Sequence, residues 1–180
     1  MTSISVRDRL AIDTRALHQA LHDDPLLGAL TGPSISEQDY RRSLLVFAAF
    51  HAGIEADRRR LAGWQSYALT PVLRALAADG AVPPKPSATC GLMSHGELMG
   101  GLYVAYGALL GRAVMKRPVT TALPQLAHVY IAMPFPTSEW RALCRDLESQ
   151  VLRPEGYPPL RKGAVKAFQW MRQLLLPQTI

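Results

Sequence analysis

Apolar residues recur at helical spacing almost throughout the chain, and no alternating run of β-branched residues is long enough for a strand, so the pattern predicts an all-α protein. The first helix is expected over residues 6–23, with Leu10, Leu17 and Leu21 as its buried row and a loop over 25–33 behind it. A second starts after Ser36, where Ser36 and Asp39 have capping-box spacing. It carries Tyr40, Leu44, Phe47, His51 and Ile54 inward as far as Gly63. Thr70 as cap, Pro71 at the first helical position and Gly80 behind Asp79 bracket a third helix, and residues 83–87 read as a linker. Ser94 and Glu97 cap a longer helix that Pro118 is expected to end. A short helix over 123–131, one over 138–151 and one over 160–176 complete a multi-helix bundle. Short connections and the absence of repeats predict a single domain over 1–180.

The helix behind Ser94 is unusual in its glycines. Each interior glycine costs about 0.5–1 kcal/mol relative to alanine, because it loses the most backbone freedom on ordering. Gly96, Gly100, Gly107 and Gly111 nevertheless share one face, with Tyr103 between them. Their spacing produces a long strip without Cβ atoms, against which a large flat group can lie.

Composition narrows the class. The 180 residues are 48% hydrophobic and 19% charged, a balance that excludes disorder and allows a core of its own. Two cysteines, Cys90 and Cys144, are too few for a disulfide framework and lack CxxC spacing, which favours a reducing, cytoplasmic setting. The N-terminal stretch turns charged before any apolar run of signal-peptide length, so no export signal is expected. The apolar run over 98–111 is shorter than the roughly 20 residues of a membrane span, and no span is expected. The net charge of +6 admits an anionic ligand or an acidic partner. Arg58, Arg59 and Arg60 have Glu55 and Asp57 beside them, and no aromatic residues alternate with the basic ones. The cluster therefore reads as a solvated face, and nucleic-acid binding is not expected.

Among five histidines, His18 has the most suggestive setting. It lies beside the leucine row of the first helix, with Ala11, Thr14 and Leu21 on its face, where an imidazole can reach a ligand held between helices. His22 follows one turn later and His51 precedes Glu55 by one turn, but neither pair completes a metal-ligand pattern. No Gly-x-Ser-x-Gly elbow and no phosphate-binding glycine loop is present, so hydrolysis has no support. One well-placed histidine and one smooth glycine face together describe a slot for a planar ligand with a metal at its centre.

Three segments carry a family likeness: Thr14-Arg-Ala-Leu-His18, Gly101-Leu-Tyr-Val-Ala-Tyr-Gly107-Ala-Leu-Leu-Gly111, and Ser138-Glu-Trp-Arg-Ala-Leu. In that order they resemble the heme oxygenase family, particularly its compact bacterial, biliverdin-producing members. The resemblance implies that His18 is the proximal ligand of heme iron, with Thr14 beside it, and that Gly107 and Gly111 form the opposite, distal wall. Neutral imidazole suits heme iron, and glycines bring helix backbone close to the oxygen-binding side. Heme would be both cofactor and substrate, opened with O2 and electrons from a ferredoxin or reductase to biliverdin, carbon monoxide and iron. Tyr103 matches a position near the heme edge. The propionates need cations from the first helix and the C-terminal region, for which Arg7, Arg9, Arg141 and Arg145 are available. Three positions depart from the family pattern. Arg112 follows Gly111 where many members have glycine, Ala108 replaces a polar residue that orders distal water, and Tyr106 replaces a common acid. Proton delivery then runs through a different network or is impaired, unless Arg112 points outward or reaches a propionate. Two alternatives stay open beside the enzyme: a heme-binding or heme-handling protein without turnover, and a fold relative that does not bind heme.

Overall fold

The structure, a computed structural model, describes residues 4–82 and 89–176. Among these residues it contains nine α-helices and no strand: α1 Val6–Asp13, α2 Arg15–His22, α3 Pro25–Ala29, α4 Glu37–Arg60, α5 Thr70–Ala78, α6 His95–Ala122, α7 Val129–Ala132, α8 Thr137–Val151 and α9 Tyr157–Leu175. The expected all-α class is observed. The linker read over 83–87 lies outside the described residues.

The bundle is organised by α6, α4 and α9. The two ends of the glycine stripe behave differently. A Cβ on Gly100 would fall 2.0 Å from the Leu160 carbonyl oxygen, and one on Gly163 would fall 1.8 Å from that of Glu97. Gly96 likewise faces Pro159 at 2.7 Å. These glycines let the α6 and α9 backbones touch. A Cβ on Gly107, by contrast, would meet nothing within 4 Å, and one on Gly111 only the Met115 methyl at 3.8 Å. The inward row expected on α4 is buried throughout: Tyr40, Leu44, Phe47, His51 and Ile54 are all within 3% of full burial.

Several boundaries differ from the sequence expectation. The helix expected over 6–23 breaks at Thr14, which is buried and whose hydroxyl donates to the Leu10 carbonyl at 2.7 Å. Such back-bonding competes with the backbone ladder and bends helices. The break separates α1, which packs on α8 and α9, from α2, which packs on α3 and α9. The expected loop over 25–33 contains α3, whose first N–H groups, those of Leu26 and Leu27, donate to Asp24. Thr70 does not cap α5; the Leu69 N–H donates to Glu55 instead, and the Thr70 hydroxyl lies between Glu55 and Arg59. Pro118 does not end α6, which continues to Ala122. Beyond the proline Val119 is fully buried, and the Thr120 hydroxyl donates to the Lys116 carbonyl at 2.9 Å.

The solvated face expected around Arg58 is partly internal. Glu55, Asp57 and Arg58 are buried. Arg58 grips Glu55 through two hydrogen bonds of 2.8 Å, and Arg59 and the Leu69 N–H complete the set. Burial would push the Glu55 carboxyl up, but these donors outweigh it and hold the carboxyl at about 2. Asp57 accepts from the Leu92 N–H at 3.0 Å and from Arg60 at 2.9 Å, tying the segment before α6 to α4. By length and composition α6 could cross a membrane, because it extends well beyond the apolar run read from the sequence. More than half of its most apolar stretch is buried inside the protein.

Candidate functional site

A cleft of about 280 Å³ opens between α2, α6 and the end of α9. On one side stand His18 and His22, which α2 presents one turn apart. On the other lies the Gly107–Gly111 end of the stripe, where α6 has left the α9 crossing and no helix covers its backbone. Phe47, Phe50, Phe168 and Met171 form an apolar floor, and Tyr103 and Trp140 close one end, stacked at 6.0 Å and 27°. The polar groups are few: the two imidazoles, Thr31, Tyr103 and, at the rim, Arg7.

His18 is exposed to the cleft, its ring edge-on to Phe168 at 6.0 Å and to His22 at 4.5 Å. Burial against these neighbours, and secondarily the His22 imidazole, lowers its pKa, which favours the neutral ring with its free nitrogen lone pair. Among the described residues no protein group hydrogen-bonds either the His18 or the His22 ring. His51 and His128, in contrast, are engaged with the Tyr130 and Tyr40 hydroxyls.

Of the residues nominated from sequence, the fold brings His18, Tyr103, Gly107 and Gly111 to this cleft. Thr14 is one turn from His18, but its side chain is buried in the bend and does not line the cleft. Arg9 lies over the Tyr157 ring at 3.8 Å, and Arg145 is exposed on α8 outside the cleft; the rim cation is Arg7, bonded to Asp8 at 2.8 Å. Arg112 turns away altogether. It is buried, donates to the carbonyls of Leu109 and Tyr130, and sits over the Tyr130 ring, so it neither points outward nor reaches the cleft. Ala108 lines the cleft. Tyr106 does not; it is buried edge-on to Tyr67, and burial first, then Glu139, push its hydroxyl up to about 12.

The His51 and Glu55 pair does not form a metal site, since one faces Tyr130 and the other Arg58. Among the described residues no group of three potential ligands gathers anywhere. Sequence reasoning passed over Phe168 and Met171. They belong to an ordinary amphipathic helix, and nothing local marks which of its apolar residues reach across to α2.

No protein-family model matches the sequence, and no curated protein matches it. The fold is similar to that of a heme oxygenase from Neisseria meningitidis crystallised with NO and CO bound, with a TM-score of 0.72 and 23% identity, covering 96% of this chain and 91% of that one. The chain thus has the heme oxygenase fold over nearly its full length.

Proposed function

We propose that residues 1–180 form one heme-oxygenase-like domain that binds heme in the cleft and cleaves it oxidatively. The single observation that carries this reading is the pairing of the His18 imidazole with the uncovered backbone of Gly107 and Gly111 across one apolar cleft. The residues present fit a heme. The cleft offers a nitrogen ligand on one side, a wall with no Cβ on the other, aromatic and aliphatic contacts for the macrocycle, and a cation at the rim for a carboxylate. Heme held there would supply iron for oxygen activation and would itself be the substrate, released as biliverdin, carbon monoxide and iron.

The protein's own part is positional. His18 holds the ligand by its nitrogen, Phe47, Phe50 and Phe168 exclude water from one face, and Tyr103 with Trp140 fixes the edge. Arg7, exposed and hydrogen-bonded to Asp8, can turn toward a propionate. Electrons would come from a ferredoxin or reductase in the cytoplasm, where Cys90 and Cys144 stay reduced. A second reading, heme binding without turnover, is favoured by one observation. The distal wall is apolar, with Ala108, Leu110 and Val114 beside the glycines and Arg112 turned away, so Tyr103 is the only hydroxyl on the α6 wall.

Mixing the purified protein with hemin separates these readings. A Soret band that shifts in His18→Ala supports binding, and no band at all would sink both heme readings. With O2 and a reducing system, decay of the Soret band as bilin absorbance grows supports the oxygenase; a persistent heme complex leaves the binding protein.

A further inference from the structure

The two walls of the cleft repeat with the same period. On α2, His18 and His22 are four residues apart, their rings 4.5 Å centroid to centroid, and both line the cleft with no hydrogen-bond partner among the described residues. On α6, Gly107 and Gly111 are also four residues apart, and a Cβ at either would meet no backbone within 4 Å. A planar ligand displaced by about one helical turn, roughly 5.4 Å, would again find an imidazole on one side and open glycine backbone on the other. The floor does not oppose such a displacement, because Leu21, Leu27, Phe47, Phe50 and Phe168 offer apolar contact along the cleft rather than one shaped polar seat.

We propose that His22 is a second iron-binding imidazole, so that heme occupies two seatings in the cleft, one on His18 and one on His22. This rests on the heme-binding reading above. The chemistry is symmetric: each ring offers a lone pair when neutral, and among the described residues neither meets a carbonyl or carboxylate partner that would lock its tautomer and orientation. A singly ligating protein needs one such ring; this helix aims two into the same cleft. The seatings differ in depth, since His18 has Phe168 beside it and His22 stands one turn nearer the end of α2. Exchange between them would carry the macrocycle along the glycine wall and change how closely its edge approaches Tyr103 and Trp140.

The test uses the whole chain loaded with hemin, in the parent, His18→Ala, His22→Ala and the double variant, each checked for folding by circular dichroism. The reduced proteins are compared by resonance Raman, with and without 15N-labelled histidine, for the iron–imidazole stretch. Retention of a label-sensitive band in His18→Ala, with its loss in the double variant, is expected. In the ferric parent two electron paramagnetic resonance species should collapse to one in His22→Ala. A folded His18→Ala protein whose heme shows no label-sensitive stretch would overturn the second seating while leaving the heme-binding reading intact. A parent protein with no histidine-ligated heme would remove both.

Discussion

The glycine stripe makes a prediction with opposite signs at its two ends. Alanine at Gly100 places a methyl 2.0 Å from the Leu160 carbonyl oxygen and 2.8 Å from the Ala164 nitrogen. Both obstacles are backbone of a packed helix, so α9 must retreat by roughly 1 Å or more to reach an ordinary contact of 3.4 Å. Overpacking of this kind costs about 1–3 kcal/mol and occasionally more, against a gain of about 0.5–1 kcal/mol for alanine over glycine within a helix. The net loss, on the order of 1–2 kcal/mol, lowers Tm by roughly 2–8 °C in a domain of this size.

Alanine at Gly107 keeps the helix gain without a clash, since nothing lies within 4 Å of the new methyl. It should raise stability by about 0.5–1 kcal/mol and Tm by roughly 1–4 °C. The same methyl stands in the cleft, so hemin affinity should fall although the protein is more stable. Melts followed by circular dichroism, with hemin titrations on the same samples, read both quantities. Equal destabilisation by the two substitutions would refute the division of the stripe into a packing end and an open end. Unchanged hemin affinity in Gly107→Ala would refute the assignment of the open end to the ligand.

Other substitutions probe the frame that holds the cleft. Glu55→Gln leaves the buried Arg58 guanidinium without its carboxylate and should cost about 3–5 kcal/mol, seen as a lower urea midpoint with an unchanged slope. His51 is fully buried, and burial first, then the Arg112 cation, hold its pKa at about 3 against 6.5 in the unfolded chain. The unfolded state therefore binds the proton first, and stability falls as pH drops from 6.5 toward 3 by at most about 1.4 kcal/mol per pH unit. His18, whose pKa is also lowered, adds a slope of the same sign. His51→Gln should flatten the dependence between pH 6.5 and 5, above the range in which Glu55 titrates; an unchanged slope would contradict the burial. Gly156, at φ 59° and ψ −143° before α9, occupies a region open essentially to glycine, and Gly156→Ala should cost about 1–3 kcal/mol in the same urea assay.

What the sequence made legible follows from physical range. The α4 row from Tyr40 to Ile54 and the caps at Ser36 and Ser94 are local consequences of helical period and hydroxyl chemistry, and the fold contains them. The break at Thr14 and the passage of α6 through Pro118 depend on neighbours. A buried threonine back-bonds, and a buried Val119 holds a turn that proline weakens. Arg59 and Arg60 are solvated as expected, but the burial of Glu55, Asp57 and Arg58 is not local, because a run of charges does not reveal that Leu69 and Leu92 bring their N–H groups to it.

Arg112 shows how far helical phase alone can carry an argument. It adjoins Gly111 in sequence, so a resemblance read residue by residue places it in the distal wall. Helical phase alone does not exclude that placement, because Ala108, four residues earlier, and Met115, three later, both line the cleft. The partners decide instead: the Arg112 guanidinium reaches back to the Leu109 carbonyl and across to that of Tyr130, away from the cleft. There its charge is buried with carbonyl oxygens and an aromatic ring for company, and burial lowers its pKa despite the nearby Tyr130. A cation kept in such a place anchors α6 to α7 at the level where the glycine wall begins to open. Its influence on the cleft is therefore through the position of that wall. Arg112→Met should leave the His18-ligated heme spectrum in place while lowering stability.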